Sequence, residues 1–118
     1  MGIVNASLKI INPRDTSKIY QGDFLVDTGA KYTVIPKHVW QRLELKPDRH
    51  QKFSLADGKI ISRPIGSAFI KYRGIKSSSP IILGGPKDDF LLGIVTLENL
   101  GLGINPFTRE LYQAKLMM

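Results

Sequence analysis

Hydrophobic and polar residues alternate along several short stretches of the chain, and turn-forming residues separate one stretch from the next. Residues 4–10 alternate with a period of two, which is typical of a strand with one buried face. Residues 12–15 have the composition of a turn, and a second strand is expected over residues 19–26. That strand ends in three consecutive apolar residues, as in a strand that is buried on both faces.

Further along the chain, the pattern predicts a short strand and two short helices. Residues 32–35 are aromatic and β-branched, which favours a strand. Pro36 suits the first turn of a helix that runs to about Leu43, because the missing N–H of proline has no partner to lose there. Residues 95–100 predict a second short helix, which ends at Gly101.

The segments around these helices also have the pattern of strands. Ala56-Asp57-Gly58 lies between two apolar stretches and predicts a hairpin with a tight Asp-Gly turn. Residues 68–72 and 80–83 predict strands, with a turn at Gly74 between them, and a last strand is expected to begin near Leu111. The pattern as a whole predicts an all-β fold with one or two short helices.

The length and composition favour one globular domain. We expect a single domain over residues 1–118, with 42% hydrophobic and 23% charged residues, as in folded rather than disordered proteins. Cysteine is absent, which excludes disulfides and thiolate metal sites. The amino terminus lacks the pattern of a signal peptide, and no apolar run approaches the ~20 residues that a membrane span needs. A cytoplasmic protein that does not bind membranes is therefore expected.

The formal net charge of +7 raises the question of an anionic partner. The basic residues are scattered from Lys9 to Lys115 and never form a run, which favours a solvated basic surface over a nucleic-acid interface. A positive field of this kind also favours acidic substrates or acidic regions of partners. We therefore expect no nucleic acid among the partners.

The segment with the most chemical content is Phe24-Leu25-Val26-Asp27-Thr28-Gly29-Ala30. A carboxylate follows a buried apolar strand and opens a tight turn there, although burial of a carboxylate is unfavourable unless the group is paired or hydrogen-bonded. Thr28 offers a hydroxyl, and Gly29 allows backbone to approach the carboxylate closely.

This segment resembles the signature of the retroviral-like (retropepsin-like) aspartic proteases, in which Asp-Thr-Gly-Ala follows three apolar residues. Asp57 lies 30 residues after Asp27 (57 − 27), where that family has its flap, a hairpin that folds over substrate. Leu91-Leu92-Gly93 resembles the family's second apolar-apolar-Gly motif, and its glycine lies 66 residues after Asp27 (93 − 27). Residues 98–102 and Asn105-Pro106 resemble the end of the family's helix and the terminal turn of its prokaryotic members.

The resemblance implies a closed retropepsin-like β-barrel that works as a symmetric homodimer, because the chain has one Asp-Thr-Gly and the mechanism needs two carboxylates. It implies an aspartic endopeptidase without a cofactor or metal, which binds polypeptide substrate in extended form. Asp27 of each subunit is the expected catalytic residue, supported by Thr28, Gly29 and Ala30. The residues expected in the flap are Leu55, Ala56, Asp57, Gly58 and Ile60, and those of the second motif are Leu91, Leu92 and Gly93.

Two positions depart from the viral pattern. Viral members pair a carboxylate two positions after the first motif's glycine with an arginine just after the second motif's glycine, and this chain has Lys31 and Ile94 there. The alternative function is therefore a catalytically weak or inactive module of the same fold that binds peptide or dimerises. His38 and His50 lack a matching second set of ligands, and we expect both to lie on the surface.

Overall fold

The computed structural model describes residues 4–114, and the secondary structure of this part of the chain is mostly β. In chain order the elements are β1 (Asn5–Asn12), β2 (Asp15–Val26), β3 (Thr33–Ile35), α1 (Lys37–Arg42), β4 (Arg49–Ser54), β5 (Ile60–Tyr72), β6 (Ile75–Leu83), β7 (Leu91–Leu92), α2 (Ile94–Asn99), β8 (Leu102–Asn105) and β9 (Glu110–Gln113). The structure has three long hairpins, β1–β2, β4–β5 and β5–β6. Each has its turn where the sequence predicts one.

Seven strands form one sheet in the order β1-β2-β7-β3-β6-β5-β4, and β8 pairs with β9 in a separate two-stranded sheet. β1 also pairs with β5 over three residues, so the large sheet curls back on itself. This arrangement confirms the predicted all-β fold with short helices. In the described residues, no helix has the length and apolar character required to cross a membrane.

The hydrophobic core lies inside the curled sheet, where the alternating residues of the strands point inward. In β1 the alternation that the sequence shows is preserved over residues 5–10, since Ala6, Leu8 and Ile10 are buried and the polar residues between them are exposed. Val39 of α1 and Leu97 of α2 are also buried in this core, so both short helices are held by tertiary packing rather than by their own length.

The sequence predictions differ from the structure in detail at three strands, β2, β8 and β6. The expected full burial at the end of β2 holds for Phe24 only, since Leu25 and Val26 remain partly exposed. β8 was not predicted, because its four residues contain a glycine and show no clear alternation. β6 begins at Ile75, five residues before the apolar stretch that predicted it, because serines that carry little strand signal pair there with β5.

Candidate active site

Asp27 follows the last residue of β2, at a point where two parallel strands end side by side. β2 and β7 pair in parallel, with Leu25 opposite Leu91 and Val26 opposite Leu92. The backbone N–H of Asp27 continues this ladder by donating to the carbonyl of Leu92 at 3.1 Å. Because both strands run in the same direction, the two motifs predicted from sequence meet at one edge of the sheet.

The turn after β2 fixes the orientation of the carboxylate. The N–H of Gly29 donates to Asp27 Oδ1 at 2.9 Å, and the N–H of Ala30 donates to the Asp27 carbonyl at 3.1 Å. A Cβ atom at Gly29 would lie 3.2 Å from Oδ1, so glycine gives the carboxylate room to approach the backbone. Asp27 is half-buried, and its side chain is therefore held in place while remaining accessible.

The second motif lies directly against this turn. The N–H groups of Ile94 and Val95 donate to the carbonyls of Ala30 and Lys31 at 2.9 and 3.0 Å. A Cβ atom at Gly93 would lie 2.4 Å from the carbonyl carbon of Tyr32, a distance that no side chain can occupy. The glycine of the second motif thus allows the start of α2 to contact the backbone of the Asp27 turn.

A chain of buried hydroxyl groups, which begins at the N–H of Gly93, supports the contact between the start of α2 and the Asp27 turn. The N–H of Gly93 donates to Thr33 Oγ1 at 3.0 Å, Thr33 Oγ1 lies 2.5 Å from Thr96 Oγ1, and Thr96 Oγ1 lies 2.9 Å from Ser79 Oγ. Ser79 donates to the carbonyl of Pro80 at 3.1 Å. Each hydroxyl can therefore donate once, from Thr33 to Thr96 to Ser79, which satisfies all three groups in the core.

The β4–β5 hairpin has the tight turn that the sequence predicts at Ala56-Asp57-Gly58. The N–H of Leu55 donates to the carbonyl of Lys59 at 2.8 Å, and Asp57 Oδ1 accepts from the N–H of Lys59 at 3.0 Å. Gly58 has a φ of 86°, a conformation that favours glycine. Asp57 thus acts in the turn. Leu55 and Ile60 beside it are 42% and 67% exposed, which leaves two large apolar side chains at the tip.

The hairpin contacts the Asp27 turn through an aromatic pair. The ring of Phe53 in β4 and the ring of Tyr32 lie with centroids 6.0 Å apart at an interplanar angle of 82°, an edge-to-face contact. Lys31 Nζ lies 5.5 Å from the centroid of the same Tyr32 ring. The β4–β5 hairpin therefore contacts the segment that carries Asp27. The contact is made by Phe53 and not by the residues of the turn at the tip.

The sequence model of the family described as "gag-polyprotein putative aspartyl protease" matches residues 19–99, which include both motifs and the hairpin. The chain belongs to this aspartyl protease family. A comparison with curated protein sequences gives no match.

The fold of the solved EIAV protease, described as complexed with the inhibitor HBY-793, agrees with this assignment. It superposes with a TM-score of 0.61, and the alignment covers 99% of this chain and 94% of that chain. The sequence identity is 20%, so this likeness concerns the fold.

The structure of this aspartyl protease family member brings Asp27, Gly29 and Ala30 together with Leu92 and Gly93. Thr28 is exposed in the single chain. Lys31 and Ile94, which stand in place of the viral ion pair, take part in the contact through their backbone groups and leave no buried charge.

The sequence did not predict the residues that support the candidate site from the side of the core. Thr33 and Thr96 are fully buried, but they were seen only as members of a strand and a helix. A threonine on the buried face of an apolar helix was the available signal, because a hydroxyl in a core needs a partner. Tyr32 was likewise predicted as a strand residue without a role toward the hairpin.

Among residues 4–114, no other polar side chain is hydrogen-bonded to the Asp27 carboxylate. His38 and His50 are both exposed, and the ring of His38 lies 6.4 Å from that of Phe90. Among residues 4–114, no group of three or more His, Cys, Asp or Glu side chains is arranged to hold a metal ion. Asp88 accepts a hydrogen bond from the N–H of Gly85 at 2.7 Å, within the loop before β7.

Two groups with shifted acidity lie at the far end of the β1–β2 hairpin. Hydrogen bonds from the Ser17 hydroxyl and then the Ser17 N–H hold the pKa of Asp15 below its ordinary value. A hydrogen bond and ion pair with Glu44 at 2.9 Å raise the pKa of Lys18. Asp15 is exposed and Lys18 is partly exposed, so the first interaction contributes to the hairpin turn and the second links β2 to the segment after α1, away from the candidate active site.

Proposed function

We propose that the chain is an aspartic endopeptidase that acts as a symmetric homodimer, in which each subunit contributes its Asp27. The observation that carries the proposal is the position of this one carboxylate. It is half-buried, is oriented by the N–H of Gly29 and lies at the edge where both family motifs meet. The sequence has one Asp-Thr-Gly, so a two-carboxylate site requires a second copy of the chain.

The proposed chemistry follows from bringing the two Asp27 side chains together. Two carboxylates about 3 Å apart cannot both ionise readily, so the pair holds one proton between them, as is established for aspartic proteases. The ionised Asp27 accepts a proton from a water molecule, and that water attacks the scissile carbonyl carbon. The protonated Asp27 of the other subunit donates its proton to the carbonyl oxygen.

The proposed substrate is an unfolded polypeptide segment in extended form, bound between the carboxylate pair and the β4–β5 hairpin. The apolar side chains of Leu55 and Ile60 at the exposed tip support a preference for apolar residues near the cleaved bond. An extended peptide hydrogen-bonds in the manner of an added strand, and alternate side chains then enter pockets. The hairpin therefore acts as the flap of the proposed enzyme.

The test is cleavage of an unfolded protein or a peptide library, followed by mass spectrometry, with wild type and two matched variants. We expect Asp27→Asn to abolish cleavage, because the amide keeps the size of the side chain but cannot accept the proton. Asp15→Asn removes one exposed carboxylate at the far end of the β1–β2 hairpin and is expected to retain cleavage. Cleavage that survives in Asp27→Asn would contradict the proposed mechanism.

A second candidate function is a module that binds peptide or dimerises without useful turnover. Lys31 and Ile94 favour this alternative, since the ion pair that braces the active site in viral members is replaced in this chain. The two functions differ in one measurement. A wild-type dimer that binds peptide as tightly as Asp27→Asn, yet cleaves nothing between acidic and neutral pH, would support the module.

A further inference from the structure

A cleft opens where two neighbouring strands diverge. β1 begins at Asn5, but its pairing with β5 covers only Lys9, Ile10 and Ile11. β5 ends one residue beyond that pairing, at Tyr72, and the chain turns away through residues 73–74, so that a cavity of about 360 Å³ lies between residues 5–7 on one side and residues 71–74 on the other. We refer to this cavity, between residues 5–9 and 71–74, as the basic cleft.

The basic cleft is lined by residues 5–7 and Lys9 of β1, by Gln21 of β2 and by residues 71–74. Successive side chains of a strand point to opposite faces of the sheet, so a cavity on one face alone would be lined by alternate residues. The runs 5–7 and 71–74 indicate that the cavity reaches the gap beside the edge of β1, while Lys9 and Gln21, which are directly opposite each other, indicate that it also extends over one face of β1 and β2. Among residues 4–114, no strand pairs with residues 5–8 on this side, which leaves an open backbone edge.

Like charges meet at the closed end of the basic cleft. Lys9 lies directly opposite Lys71 across the two strands, and Lys71 lies directly opposite Lys76 on its other side. Like charges in such positions repel, which disfavours the pairing. The ion pairs found within residues 4–114 engage Lys18 and Lys59, so these three lysines have no carboxylate partner in that part of the chain.

Basic groups continue along the open end of the cleft. Arg73 lines it, with its guanidinium carbon 5.2 Å from the Tyr72 ring centroid, and it also lines an adjoining cavity of about 150 Å³ together with Arg109. Two carboxylates lie nearby, since Asp23 is opposite Ser7 and Glu110 lines the adjoining cavity. Cations therefore outnumber carboxylates along this edge, in a protein of net charge +7.

We propose that the basic cleft binds an acidic segment of polypeptide in extended form. The segment adds as a strand to residues 5–8 of β1, and its carboxylates neutralise Lys9, Lys71 and Arg73. A strand edge recognises a peptide backbone, while the cations select the side chains. This site is formed by residues other than Asp27 and the flap, so its occupation does not depend on the proposed proteolysis.

The test measures binding by fluorescence anisotropy on the full-length chain, with a labelled peptide in which glutamate alternates with threonine. We expect saturable binding that weakens as salt is added. The peptide with glutamine in place of glutamate tests the charge requirement, and a peptide with N-methyl groups at alternate residues tests strand addition. Mass spectrometry after each titration shows whether the peptide stays intact, which separates binding here from cleavage at Asp27.

Two double variants each remove two positive charges, one pair inside the basic cleft and one pair outside it. Lys9→Gln/Lys71→Gln is expected to weaken binding about fivefold, because each exposed charge contact contributes modestly. Lys37→Gln/Lys46→Gln removes two exposed lysines elsewhere and is expected to leave affinity unchanged. Circular dichroism and sedimentation of each variant show whether the fold and the association state are preserved.

Three results would overturn the inference. Equal weakening by both double variants would reduce it to non-specific attraction by the net charge. Tighter binding of an oligothymidine or of pyrophosphate at the same salt concentration, lost in Lys9→Gln/Lys71→Gln, would assign the cleft to phosphate groups. A change of association state in this variant, with peptide affinity unaltered, would assign the cleft to contact between copies of the chain.

Discussion

At the scale of single residues, small side chains decide how closely the two motifs approach. Gly29 gives the Asp27 carboxylate room to accept a backbone hydrogen bond, and Gly93 lets the start of α2 touch the Asp27 turn. The buried hydroxyl groups of Thr33 and Thr96 then connect that contact to the rest of the sheet. The geometry of one reactive carboxylate therefore depends on positions that have no chemical role themselves.

Substitution of Gly93 tests this dependence. Gly93→Ala is expected to lower the free energy of unfolding by at least ~2 kcal/mol, because a Cβ atom there would overlap the Tyr32 backbone, which must move. Denaturant unfolding at a fixed protein concentration measures the change. Gly85→Ala is the control, since the nearest atom to its added Cβ would be Asp88 Oδ2 at 3.6 Å, an ordinary contact. Equal stability of the two variants would contradict the interpretation.

At the scale of elements, the parallel pairing of β2 with β7 and the long β4–β5 hairpin build the candidate site from distant parts of the chain. The hairpin contributes exposed apolar residues at its tip and contacts the Asp27 segment through Phe53 and Tyr32. Through this aromatic pair, the position of the β4–β5 hairpin depends on the position of the segment that carries Asp27. The flap and the catalytic turn are thus expected to act together on substrate.

Loss of the aromatic pair is expected to weaken substrate binding. An edge-to-face pair contributes ~0.5–1.5 kcal/mol, so Phe53→Ala should raise KM about threefold to tenfold, with a smaller change in kcat. Steady-state kinetics on a peptide found in the cleavage assay measures both constants. Tyr32→Phe keeps the ring and should resemble wild type, as should Phe107→Ala, whose ring is 94% exposed in the β8–β9 turn. An unchanged KM in Phe53→Ala would show that this contact does not affect substrate binding by the hairpin.

At the scale of the whole molecule, one chain provides half of the proposed site. The curled sheet places Asp27 at its edge, where a second copy can bring an identical carboxylate opposite. The same fold leaves a basic cleft at the divergence of β1 and β5, formed by residues that the proposed chemistry does not use. Proteolysis and recognition of an acidic segment can therefore be tested independently.

Mixing experiments test the shared site. When wild type is mixed with an equal amount of Asp27→Asn and allowed to exchange subunits, activity per wild-type chain should fall by about half, because mixed dimers hold one carboxylate. A larger excess of the variant should reduce it further. Addition of Asp15→Asn instead should cause no such loss. Activity that is insensitive to the Asp27→Asn chain would indicate that each subunit works alone.

The sequence by itself determined the local elements and indicated the candidate catalytic group. Alternation placed β1, the turn residues placed the Asp57-Gly58 hairpin, and the Asp27 and Gly93 motifs indicated the family, because these signals depend on neighbouring residues. The tertiary structure alone decided what those elements bring together. Thr33 with Thr96, Phe53 with Tyr32 and Lys9 with Lys71 are far apart in sequence, and only the pairing of strands makes them neighbours.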